Sequence, residues 1–122
     1  MSTGIIIFAH GSSVAAANDS VRAVAEEVAR VGGFDLVEAA FLEQAAPDLA
    51  AGVDRLVQRG ASRIVVIPYF LTLGIHLQRD LPRIVERISS IHTGVEIQVT
   101  PPLDGHPALV RILLERAWDA GQ

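Results

Sequence analysis

The 122-residue chain has no cysteine and no lysine. Without cysteine there is no disulfide framework, no thiolate zinc site, no iron-sulfur cluster and no thiol nucleophile, so any bound metal must take its ligands from His, Asp or Glu. Without lysine there is no Schiff-base chemistry and no P-loop, and all ten basic residues are arginine. Basic excess is missing too. Fourteen acidic residues give a net charge of −4, which argues against the electrostatic footprint of a nucleic-acid partner. Long apolar runs are absent: MSTGIIIFAHGSS has no basic leader and its apolar stretch stops at His10. That is too short for a signal peptide or a membrane span, so a cytoplasmic protein without a membrane partner is expected. GxGxxG, GxxxxGK[ST], HExxH and GxSxG are all missing, so no nucleotide, zincin or α/β-hydrolase fingerprint is present.

What remains is half apolar, with a mean hydropathy of +0.37, enough to fill the core of a single domain over residues 1–122. Gly4 to Ala9 and Ile64 to Leu71 are short, rich in Ile and Val and free of charge, as strands buried on both faces are. Phe34 to Phe41 is mixed and Val95 to Thr100 alternates, which marks them as edges. Between them lie helical stripes: Val21, Val24, Ala25, Val28 and Val31; Leu49, Val53, Leu56 and Val57; Leu81, Ile84, Val85 and Ile88; Leu109, Ile112 and Leu113. Pro47, Pro82 and Pro107 mark first helical turns, and Gly32 and Gly60 mark helix ends. The expected fold is α/β and flavodoxin-like: three layers, a four-stranded parallel sheet of order 2-1-3-4, and helices on both faces.

That order places a topological switch between the first and third strands, and ligands bind at the carboxyl edge beside such a switch. His10 follows the first strand and His76 lies in the loop after the third, so the two should face each other. Glu43 follows the second strand and reaches the same crevice. His106 opens the fourth helix farther along that edge, whereas His92 belongs to the opposite edge and to the surface. Two imidazoles and a carboxylate suit a divalent first-row metal, and they also suit proton transfer. Spacing alone leaves other readings open: His10 bonded to backbone, His76 exposed on a mobile loop, Glu43 solvated near a helix start, His106 beside a helix cap. Tyr69 and Phe70 read as core. Gly11, Ser12 and Ser13 stand where a helix N-terminus can cradle an anion, and Arg79 beside His76 makes the crevice receptive to carboxylates.

Taken together, IIIFAHGSS with Asn18, VEAAFLEQAAPDL, VVIPYFLTLGIHLQRDLP and PPLDGHPAL resemble the short form of the class II tetrapyrrole chelatases, the CbiX/SirB family. The motifs run over almost the whole chain in family order. The resemblance implies insertion of Co2+, or alternatively Fe2+ or Ni2+, into the tetrapyrrole sirohydrochlorin, towards cobalamin or siroheme, by a homodimer that needs no nucleotide. It implies His10 and His76 as the metal-binding and catalytic pair, and Glu43 as third ligand or proton acceptor. Gly11, Ser12, Ser13, Arg79 and His106 are then candidates for substrate contact. Ser13, Gln78 and the LDGHP segment depart from the family pattern, which bears on the carboxylate contacts and the metal preference rather than on the two histidines. Two other readings stand beside this one: a metal- or tetrapyrrole-carrying module without turnover, and a phosphatase with His10 as nucleophile. The phosphatase chemistry wants an arginine next to that histidine, where Ala9 stands.

Overall fold

A computed structural model describes residues 2–121. Strands and helices alternate along the chain as β1 (Thr3–Ala9), α1 (Ala15–Gly32), β2 (Leu36–Phe41), α2 (Leu49–Gln58), β3 (Arg63–Pro68), α3 (Ile75–Ile91), β4 (Glu96–Val99) and α4 (Ala108–Ala120). All pairings are parallel and the strand order is β2-β1-β3-β4. The charge-free run becomes the centre because it has no polar side chain to solvate: β1 is buried at every position from Gly4 to Ala9. The alternating VEIQVT segment becomes an edge, with Glu96 and Gln98 exposed.

Successive β1 side chains point to opposite faces, so each face acquires its own core. Ile6 and Phe8 join Ile64 and Val66 under α2 and α3, where Val53 and Leu56 are fully buried and Leu81 nearly so. Ile5 and Ile7 join Ala39 and Phe41 under Val21 and Ala25 of α1. Burying each such aliphatic side chain contributes about 1.5–3 kcal/mol. These two cores position the strand ends that carry the site.

The structure departs from the sequence reading at several points. Gly33, not Gly32, is the left-handed cap of α1 (φ 69°), with its N–H bonded to the Ala29 carbonyl. The third strand stops at Pro68, and Tyr69 is 40% exposed rather than core. Pro82 does not open its helix. α3 starts seven residues earlier behind Gly74, and the stripe of Leu77, Leu81 and Ile84 on the core side carries it through the proline. His76 therefore stands on the first helical turn, not in a loop. His92 is no surface residue: its side chain is 15% exposed and lies 3.9 Å from Asp54.

α4 is the largest departure. Its apolar stripe is left largely uncovered among the described residues: no residue of the helix is buried, and Val110, Ile112, Leu113 and Leu114 are 43–68% exposed. On the α1 face of the sheet, Val65 and Ile67 of β3 are only half-buried.

Candidate active site

The carboxyl edge is built on a backbone continuation of the sheet. Past the ends of β1 and β2, the Leu42 N–H donates to the Ala9 carbonyl (2.9 Å) and the Glu43 N–H to the His10 carbonyl (3.1 Å). The two connections thus run side by side for two more residues and bring His10 and Glu43 together. Such closeness demands glycine at 11. Gly11 has φ +89°, and a Cβ there would lie 1.8 Å from the Glu43 carbonyl oxygen. Gln44, at φ 64°, completes the turn in the left-handed region that non-glycine residues enter rarely.

Below this turn lies Asn18, which is 7% exposed. Its Oδ1 accepts the Ser12 N–H (2.9 Å) and its Nδ2 donates to the Ser12 carbonyl (2.8 Å). Ser12 Oγ in turn accepts the Val14 N–H at the start of α1 (3.0 Å). The sequence reading gave Asn18 no role of its own. Its signal is positional: it occupies the buried face of α1 one turn ahead of Val21, where an apolar residue is expected.

Each histidine's tautomer follows from its partner. The Gly11 carbonyl can only accept, so His10 Nδ1, 3.1 Å away, donates to it, and Nε2 is left with a lone pair. That Nε2 faces Glu43 Oε1 at 3.6 Å, with both side chains more than half exposed. Two acceptors opposed at this distance make a place for a proton or a cation. His76 is arranged the other way: Arg79 Nη2 lies 3.2 Å from its Nδ1, and because a guanidinium only donates, Nδ1 accepts and the ring hydrogen sits on Nε2.

Both histidines line one open cavity of about 380 Å³, walled by Leu42, Phe70, Leu77 and Ile84. Phe70 lies edge-on to the His10 ring, centroids 6.5 Å apart, so it packs on the core as expected and at the same time forms part of the site wall. Among the described residues no three His, Asp or Glu side chains gather as a ready-made metal cage. His10, backed by Glu43, stands on one wall and His76 on another. Ser13 is exposed beside this wall. His106 is engaged elsewhere: its Nδ1 accepts the Ala108 N–H (3.0 Å) at the start of α4. Its loop is tied to the site through the Leu103 and Asp104 N–H groups, which donate to the Phe70 and Leu71 carbonyls. Among the described residues no helix is long and apolar enough to cross a membrane.

Comparison with known proteins gives a consistent result. The family model described as CbiX matches residues 4–120. A sirohydrochlorin cobaltochelatase of Saccharolobus islandicus is 31% identical, over 93% of this chain and 91% of its own. A chloroplastic sirohydrochlorin ferrochelatase of Arabidopsis thaliana is 32% identical over 93% of this chain, which spans half of that longer protein. The crystal structure of the sirohydrochlorin chelatase SirB from Bacillus subtilis subspecies spizizenii, in complex with cobalt, superposes with a TM-score of 0.89 at 27% identity, over 98% of this chain and 51% of its own.

Proposed function

The chain belongs to the CbiX family, and from that premise we propose that it is a lyase-class chelatase that inserts a divalent metal ion into sirohydrochlorin without ATP, Co2+ first and Fe2+ next. The arrangement that carries the proposal is the opposed pair of His10 Nε2 and Glu43 Oε1, 3.6 Å apart, of which His10 lines the same cavity as His76. Insertion forms metal–nitrogen bonds and releases two protons from the pyrrole nitrogens. His10, with its Nε2 lone pair, and Glu43 are suited to hold the incoming cation and then to take those protons, while His76 engages the metal from its own wall once Nδ1 leaves Arg79 or takes over the ring hydrogen from Nε2. The apolar walls suit the macrocycle face. Gly11 and Ser12 shape the floor, Ser13 and Arg79 are placed for carboxylates, and His106 flanks the edge.

The test is anaerobic metallation of sirohydrochlorin followed by absorbance. His10→Ala and His76→Ala should each lower the rate by about a hundredfold or more with folding intact; retention of most activity by both would sink the assignment. Stoichiometric uptake without turnover would instead identify a carrier, and release of phosphate from generic phosphoesters a phosphatase.

The working unit proposed is a homodimer in which the exposed stripe of α4 packs on a second copy. Supporting this, α4 leaves Ile112 and Leu113 uncovered, and the plant relative that the chain half-spans has room for a second unit of this size. Sedimentation should give a dimer for the native chain and a monomer for Leu113→Glu.

A further inference from the structure

Arg79, Arg83 and Arg87 follow one another at four-residue spacing along α3, so their side chains form one row on the helix surface, starting beside His76. Like charges at that spacing destabilise a helix, and ordinary surfaces relieve them with acids. Arg79 has Asp80 at 3.4 Å and the His76 ring. Arg83 and Arg87 have neither: among the described residues no hydrogen bond or ion pair involves either guanidinium. In a chain of net charge −4, these two guanidiniums stay out of ion pairs even though Asp80 and Glu86 lie three residues either side of Arg83.

The far end of the row, Arg87, borders a hollow that adjoins the active-site cavity. Next to that cavity lies a second hollow of about 230 Å³, lined by Phe41, Leu42, Leu49, Ile84 and Arg87. Leu42 and Ile84 line both, so the two hollows are neighbours across that pair. Asp48, the acid in the second hollow, is already used: its Oδ1 caps α2 by accepting the Ala51 N–H (2.9 Å). A rise of about 1.5 Å per residue sets Arg87 about 16 Å along the axis from His76, and helical side chains lean towards the N-terminus, that is, back towards the metal-binding end.

We infer that Arg83 and Arg87 extend Arg79 into a cationic rail that holds the carboxylates along one side of the macrocycle, with the hollow past Leu42 and Ile84 receiving one carboxylate-bearing arm. The inference rests on the proposed tetrapyrrole substrate and adds the residues that orient it. These arginines are specificity-determining and do not touch the metal or the pyrrole nitrogens. They place a flat polycarboxylate so that its ring centre meets His10 and His76.

Steady-state metallation of sirohydrochlorin by the Arg83→Gln/Arg87→Gln variant tests this, with the Arg83→Lys/Arg87→Lys variant as control. Loss of two charge-assisted contacts should raise KM by about tenfold or more, leave kcat within about twofold, and flatten the dependence of KM on ionic strength. The lysine pair should restore KM to within about threefold. The melting temperature of the glutamine variant should equal or exceed that of the native chain, because the like-charge row is gone. An unchanged KM, a fall in kcat alone, or a lysine variant as weak as the glutamine one overturns the rail while leaving the substrate reading intact. A native chain that neither binds nor metallates sirohydrochlorin overturns that reading, and the rail with it.

Discussion

His10 and His76 line the same cavity, yet the protein holds them in opposite ways. His10 sits on a turn fixed by backbone: its own carbonyl is bonded to the Glu43 N–H, its Nδ1 donates to Gly11, and the next residue is clamped from below by buried Asn18. His76 stands on the exposed first turn of α3, and its one polar side-chain contact among the described residues is the guanidinium of Arg79, itself 59% exposed. The side fixed by backbone presents an Nε2 lone pair opposite a carboxylate; the adaptable side presents Nε2–H and a bond to a long, mobile arginine side chain. The contrast suits metal transfer. A preorganised wall receives the ion and the protons, while the opposite wall can adjust its ring and tautomer as the macrocycle enters.

Breaking the rigid wall should have the largest effect. Gly11→Ala drives a Cβ into the Glu43 carbonyl and adds a left-handed alanine, so a loss of about 3 kcal/mol or more in stability is expected. Chelation should disappear with it, and thermal denaturation beside the activity assay checks both. Asn18→Leu keeps the apolar face of α1 but orphans the Ser12 N–H and carbonyl. It should cost about 1–3 kcal/mol and slow chelation, read by denaturant melts and by kcat. The smallest effect is expected on the adaptable wall: Arg79→Gln removes an exposed contact worth about 0.5 kcal/mol or less. It should nevertheless free His76 Nδ1. Nitrogen-15 shifts of the imidazoles should then show His76 leaving the Nε2–H form while His10 keeps Nδ1–H; a His10 that changes as readily as His76 would erase the distinction between the walls.

Much of this was legible in one dimension. The charge-free runs GIIIFA and IVVIPYFL had to be inner strands, because they have no polar side chain to offer solvent, and right-handed crossovers then left one strand order. His10, Glu43 and His76 fall on one edge for that reason alone. Less legible were features in which a local signal competes with packing. Pro82 reads as a helix start, but the buried row of Leu81 and Ile88 and the half-buried Leu77 hold a helix that passes through it. Asn18 reads as a surface polar residue, because nothing in its neighbours reveals that a turn six residues back needs its amide. The stripe on α4 reads as core, yet periodicity reports that a face is apolar and not what covers it.

The sequence by itself determined the fold class, the strand order, the identity of the groups at the carboxyl edge and, by lacking cysteine, the confinement of metal chemistry to imidazole and carboxylate. These follow from composition and from solvation preferences that act residue by residue. Only the tertiary structure decided which imidazole nitrogen faces the cleft, that Glu43 opposes His10 at 3.6 Å, and that Arg87 stands beside a hollow adjoining the site. The reason is that where a turn closes and which side chains meet depend on contacts between residues far apart in the chain. The Glu43 backbone, 33 positions from His10 in the numbering, closes the turn that brings the two side chains face to face.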